Sequence, residues 1–266
     1  MREFFMNWQD PETRRWLPVA KLISVDGYYI FGYTEGARVS ENFKPFGSMN
    51  DLSSLYVSDE LFPIFANRVM NEKRPEYRRY MDWADLGLSS DPLSLMARVG
   101  GVRATDQLQV FPVPERTLEG KYRTVFFLHG ISHMPPESVA RIAGLTKGDN
   151  LFPMLDVQNP FDHNAVCLRT ADPAMILGYC PRYIAPDLRV LAEDQSAFVS
   201  VTVKKVNLDA PAQFRLLCEA VCTWPEHFVP CSSNEHILIN PLSIDKVLDS
   251  LNSSMVFDRT LGKTYA

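Results

Sequence analysis

Residues 148–182 decide how this chain reads: Gly148-Asp149-Asn150-Leu151, then Asp156-Val157-Gln158-Asn159-Pro160-Phe161-Asp162-His163-Asn164-Ala165-Val166, then Leu177-Gly178-Tyr179-Cys180-Pro181-Arg182. The order is that of an acidic strand, a tight polar turn and a short return strand. Pro160 has no N–H to give to a ladder and pushes Asn159 away from helix, while Asp162 and Asn164 are the residue types that bond nearby backbone amides. The spacing predicts a turn over 159–164 that points one aromatic ring, Phe161, outward.

Outward from this turn, apolar runs predict strands at Tyr122–Leu128, Leu151–Leu155, Ala165–Leu168 and Ile176–Gly178. Ala197, Val199, Val201 and Val203 alternate as in a half-buried strand, and Phe214–Val221 reads as another. Pro136 to Leu145 opens with proline and glutamate and predicts a short helix. Toward the N-terminus, Trp16–Leu22 and Tyr28–Tyr33 flank Asp26-Gly27, a hairpin signal. A helix capped by Ser58 or Asp59 is expected to bury Leu61, Phe62, Phe65 and Val69. A second helix holds Tyr77, Tyr80, Met81 and Trp83, and a third runs from Pro92 to Val99 and stops at Gly100-Gly101 before a strand at Gln107–Phe111. Residues 112–121, with prolines, a glycine and four charges, read as a linker. The tail carries an expected helix at Ser243–Leu251.

Three pieces, Gly130-Ile131-Ser132-His133, Asn159-Pro160-Phe161-Asp162-His163-Asn164-Ala165 and Gly178-Tyr179-Cys180-Pro181-Arg182, resemble in order and spacing the HIRAN domain, a small β-barrel module found on replication-fork remodelling ATPases and in bacterial proteins. The resemblance implies binding of the 3′ end of single-stranded DNA. It casts Phe161 as a stacking ring, Asp162 as acceptor for the terminal hydroxyl and Arg182 as a phosphate contact, with Asn159 beside them in the turn. Tyr179 would stack or bond phosphate through its hydroxyl. Ser132 and His133 stand where DNA-binding members carry arginine and tyrosine, so a charge is lost there and the stacking surface shrinks.

The N-terminal part is similar to the small N-terminal subdomain of HipA-type kinases, on Val19-x-Lys21-Leu22, Tyr29-x-Phe31-x-Tyr33, Leu61-Phe62, Asn67-Arg68 and Leu95-Met96-Ala97-Arg98-Val99-Gly100-Gly101. That resemblance implies docking on a partner kinase, since a kinase core is missing from the chain.

Composition bounds these readings. The chain has 266 residues, 46% hydrophobic and 22% charged, enough for two folded domains. No apolar run approaches the roughly 18 residues that span a bilayer and no signal-peptide core opens the chain, so a cytoplasmic protein without a membrane partner is expected. Lys and Arg against Asp and Glu number 13 to 15 over 1–113, 8 to 10 over 114–200 and 6 to 7 over 201–266. No part is basic, which disfavours a grip on long duplex but leaves room for a small pocket on a single-stranded end. Lys73, Arg74, Arg78 and Arg79 with Tyr77 and Tyr80 suggest a second nucleic-acid surface, but Glu72, Glu76 and Asp82 among them favour a solvated helix.

Each candidate has a plain structural role open to it: Asp162 and Asn164 as turn caps, Phe161 as a turn anchor, Arg182 in a surface ion pair, His133 as a loop residue and His129 in the core. Cys218, Cys222, Cys231 and His236 can be written as a zinc set, but the spacing is not that of a knuckle and buried reduced thiols are expected, with no metal and no cofactor. Ser132, His133 and Asp162 do not make a triad by sequence, and phosphate loops are missing, so a non-enzyme is expected.

The expectation is therefore an α+β chain. Residues 1–112 form a hairpin-and-helix domain, 113–121 a linker, 122–231 an OB-like or SH3-like HIRAN barrel, and 232–266 a C-terminal helix and tail. Its partner is a single-stranded DNA 3′ end, together with a helicase or nuclease effector or, alternatively, a HipA-like kinase of a toxin–antitoxin module.

Overall fold

The computed structural model describes residues 1–87, 90–103, 106–194, 196–241 and 246–250. Two compact units divide the chain, one made of 1–64 with the segment from 233 onward, the other of 65–232. This partition differs from the one read in the sequence. The proline-rich stretch 113–121 lies inside the second unit, with Pro114 buried and Arg116 bridged to Tyr122.

The first unit is built on strands β1 (Arg2–Gln9), β2 (Trp16–Val25), β3 (Tyr28–Tyr33) and β4 (Leu55–Ser58), in the order β4-β3-β2-β1 and antiparallel throughout. The hairpin is where Asp26-Gly27 puts it, because both residues adopt positive φ, 49° and 85°, as a two-residue primed turn requires. Strand β1 carried no expectation, and its burial of Phe4, Phe5 and Met6 in succession hides the period-2 pattern. Tyr33 is the anchor of this unit: its hydroxyl donates to the Met49 carbonyl at 2.7 Å and accepts from the Phe46 amide at 2.6 Å, fixing the loop that closes over Phe31. The segment after 233 returns to the same unit, where Ile239 N–H bonds the Tyr33 carbonyl. Of the helix expected at Ser243–Leu251, residues 246–250 are helical and the remainder lies outside the described residues.

The second unit begins with helices. The expected 61–69 helix is a single turn, α1 (Pro63–Ala66), and Ser58 instead closes a local turn by accepting from the Glu60 amide. Helices α2 (Tyr77–Trp83) and α3 (Pro92–Val99) form as expected, α3 because Asp91 accepts from the Leu93 amide, Pro92 opens it and Gly100 ends it at φ 82°. Strand β5 (Leu108–Pro112) follows.

Next come β6 (Lys121–Phe127), α4 (Pro136–Ala143), β7 (Asn150–Leu155), β8 (Val166–Arg169), β9 (Ile176–Tyr179), α5 (Ala185–Glu193), β10 (Ser200–Val206) and β11 (Leu216–Thr223). Six strands make one antiparallel sheet in the order β6-β11-β10-β7-β8-β9. Just past β6, His129 bridges Tyr179 at the end of β9, so the two ends of the sheet meet and it curls into a partly closed barrel. The approach needs glycine at 178, since a Cβ there would lie 2.5 Å from the His129 carbonyl oxygen. Tyr122, Phe126, Leu151, Leu168, Val201 and Leu216 fill the interior.

Helices α2 and α3 contribute side chains to the packing of this barrel. Tyr77, Met81, Trp83 and Leu95 pack on Phe127, Phe214 and Leu217, on the side of the sheet away from the interior. Trp83 Nε1–H donates to Asp209, Asn207 donates to the Trp83 carbonyl, and Lys205 Nζ pairs with Asp82 at 2.7 Å. The division at 64/65 departs from the boundary expected at 112, and side chains of α2 and α3 cover a strand face left apolar by β6 and β11. Tyr77, 4% exposed, is core and unavailable to stack on a base beside the exposed Arg74 and Arg78.

Candidate nucleic-acid interface

The turn at 159–164 is held from within. Asn159 Oδ1 accepts from the amides of Phe161 and Asp162 at 3.0 and 3.1 Å, and its Nδ2 donates to Asp156 Oδ2 at 3.0 Å. Asp162 Oδ1 in turn accepts from the Asn164 amide at 2.9 Å. Asn159 therefore positions the turn with the groups that the sequence reading gave to DNA. On the backbone fixed this way, Phe161 is 82% exposed. The outward ring stands; an anchor role inside the turn does not fit it.

The other two motif pieces are drawn to this turn by the barrel seam. Tyr179 bonds His129 through both backbone groups, at 2.8 and 2.9 Å, and its hydroxyl donates to Asp156 Oδ2 at 2.9 Å. Its phenol proton is held by that carboxylate, with burial and then Asp156 raising its pKa; the Asn159 and Tyr179 hydrogen bonds lower that of Asp156. Gly130, at φ 73°, turns the chain from His129 into a short 3-10 helix, Ile131–His133, with Ile131 buried and Ser132 and His133 exposed. Beyond Tyr179, Arg182 Nε lies 3.9 Å from Asp162 Oδ2, a distance for charge attraction rather than a hydrogen bond. Burial, with Arg182 adding to it, pushes the His129 pKa down to about 4, so this imidazole is neutral at pH 7 and adds no charge.

The arrangement thus offers an exposed ring, a carboxylate with Oδ2 turned to Arg182, and a guanidinium whose side chain is 45% exposed. Arg189 of α5 also reaches the turn, donating to the His163 carbonyl at 2.6 Å while paired with Glu193 at 3.2 Å. Sequence reasoning passed over Asp156 and Arg189, for their partners are brought near by folding; the polar spacing of Asp156 from Asn159 was the one local hint. The zinc reading has no counterpart: Cys218 and Cys222 lie in the barrel interior, and among the described residues no three His, Cys, Asp or Glu groups could hold a metal. No helix of the described residues is long and apolar enough to cross a membrane.

The sequence matches no protein-family model and no curated protein. Two solved structures show similarity to part of the chain. One is a protein from Lactobacillus plantarum, 20% identical, with 38% of this chain and 98% of that one covered at a TM-score of 0.30. Another is the HIRAN domain of human HLTF, 16% identical, with 44% of this chain and 80% of that one covered at a TM-score of 0.28. Likeness at these scores carries no weight by itself, and the functional reading stands on the geometry of the turn.

Proposed function

We propose that the second unit binds the 3′ end of single-stranded DNA, in the way implied by the HIRAN resemblance, and that the protein acts by binding, leaving chemistry on DNA to a partner effector. The observation that carries this reading is the linking of three sequence pieces, 130–133, 159–165 and 178–182, at one turn that carries an exposed ring. Folding alone would not require it: a turn already fixed by Asn159 and Asp162 has no structural use for an exposed phenylalanine.

In this reading a terminal base stacks on Phe161, the 3′-hydroxyl donates to Asp162, and Arg182 and Arg189 face the phosphate. The net charge of -5 suits a short contact with an end rather than a long one with a duplex. The test uses the full chain, because α2 and α3 are part of the barrel's packing. A fluorescent single-stranded oligonucleotide with a free 3′-hydroxyl is expected to bind more tightly than one ending in a 3′-phosphate, which the Asp162 carboxylate repels. Equal binding of both would remove end recognition.

A further inference from the structure

We infer that the outer face of β7, β8 and β9 is a platform for the bases that precede a bound 3′ end, with Phe152 and Arg169 as its stacking element. The inference rests on the 3′-end reading and extends it along the sheet.

Register fixes which side chains share this face. Leu151, Val166, Leu168 and Leu177 point into the barrel, so their neighbours Phe152, Met154, Cys167 and Arg169 point away from it. Phe152 lies opposite Arg169, Met154 opposite Cys167, and Cys167 opposite Tyr179. Asp156 and Tyr179, joined by their hydrogen bond, end the same row beside the turn. From Asp156 to Phe152 is four residues of strand, about 13 Å, a reach for about two further bases.

The row sets part-exposed apolar groups around a buried thiol, Cys167, which is 2% exposed. Phe152 is 41% exposed, Met154 38% and Ile176 38%, and the Arg169 guanidinium sits 5.1 Å from the centre of the Phe152 ring. An aromatic ring under a guanidinium gives a flat surface that tolerates any base and a cation for the adjoining phosphate. The one carboxylate in the row, Asp156, already accepts from Tyr179 and Asn159. An apolar row in which Arg169, also bonded to the Thr170 carbonyl, lies at the end away from the Asp156 carboxylate, and which runs from the proposed end pocket, suits a single strand better than a second protein surface.

The experiment measures affinity of the full chain for oligothymidylates of two, four and six nucleotides with a free 3′-hydroxyl, against the same series with a 3′-phosphate. Wild type should gain about 5- to 150-fold on lengthening, the equivalent of one stacked base. Phe152→Ala should bind the dinucleotide as wild type does and lose that gain, and Phe152→Tyr should keep it. A gain that survives in Phe152→Ala, or no gain with length, overturns the platform even where the 3′-phosphate is discriminated against. A Phe152-dependent gain without discrimination between the two ends sinks the end pocket instead, and concentration-dependent dimerisation abolished by Phe152→Ala, with no length effect, would assign the face to a second copy. Thermal melts establish that each variant is folded.

Discussion

A cluster of aromatic residues in the first unit and one ring of the second stand in opposite situations. In the first, Phe31, Tyr33, Phe43 and Phe46 contact one another with ring centres 4.9 to 6.4 Å apart, and Phe31 and Tyr33 are 0% and 1% exposed. In the second, Phe161 sits at 82% exposure on a turn that its neighbours' polar groups hold without it. A ring in a cluster returns its desolvation energy as stability, whereas a ring held in water gives that energy up to whatever stacks on it. The two sets should therefore respond to substitution through different measurements.

The largest effect is expected in the buried cluster. Phe31→Ala should cost about 3–5 kcal/mol of stability, the range for deleting a buried phenylalanine, seen as an earlier urea transition, while DNA binding by the folded protein is unchanged. Loss of binding in that folded variant would erase the distinction between the sets.

Next in size is a buried carboxyl of the second unit. Asp187 is 5% exposed; its Oδ1 accepts from the Cys231 amide at 3.0 Å and its Oδ2 finds no partner among the described residues. Burial raises its pKa to about 7, with the Cys231 hydrogen bond working against the rise. The folded protein then keeps a proton that the unfolded chain releases near pH 4, so this group's contribution to stability is greatest below pH 4, falls as pH rises, and levels off above about 7. Asp187→Asn should match wild type near pH 4 and exceed it at pH 8 by up to about 4 kcal/mol. Melts across this range check it; a constant gap at every pH would mean that the carboxyl does not titrate.

The smallest effects belong to the exposed set and appear in binding. Phe161→Ala should weaken single-stranded DNA by about 1–3 kcal/mol with the salt dependence intact. Arg182→Ala should lower the slope of log affinity against log salt by about 0.7, through one phosphate contact fewer. Titrations at several salt concentrations separate stacking from charge, and two folded variants that bind as wild type would make Phe161 and Arg182 surface residues only.

Much of the second unit was legible. The turn at 159–164, the strands on either side and the bounds of α3 at Pro92 and Gly100 rest on local chemistry: proline without an N–H, side chains that bond their own backbone, apolar alternation. The single-turn α1 and the unforeseen β1 were not, since a face at 61, 62, 65 and 69 looks helical whether or not neighbours let the helix run on, and strand β1 is buried on both sides. The site was legible as three motif pieces and not as a place. Asn159 looked like a DNA contact and is mainly a clamp, because only the folded turn reveals which amides its oxygen reaches.

By itself the sequence determined the local grammar of this protein: which segments extend, where they turn, that no region carries the excess positive charge of a duplex binder. Tertiary structure decided what those segments face. The bridge from His129 to Tyr179 brings 130–133 beside 178–182, the hydrogen bond of Tyr179 to Asp156 ties both to the turn, and side chains of α2 and α3 cover an apolar face of the barrel. Local signals act over a few residues through dihedral preference and side-chain hydrogen bonds. The choice among many equally apolar faces is made by register and burial across tens of residues, and no local pattern encodes it.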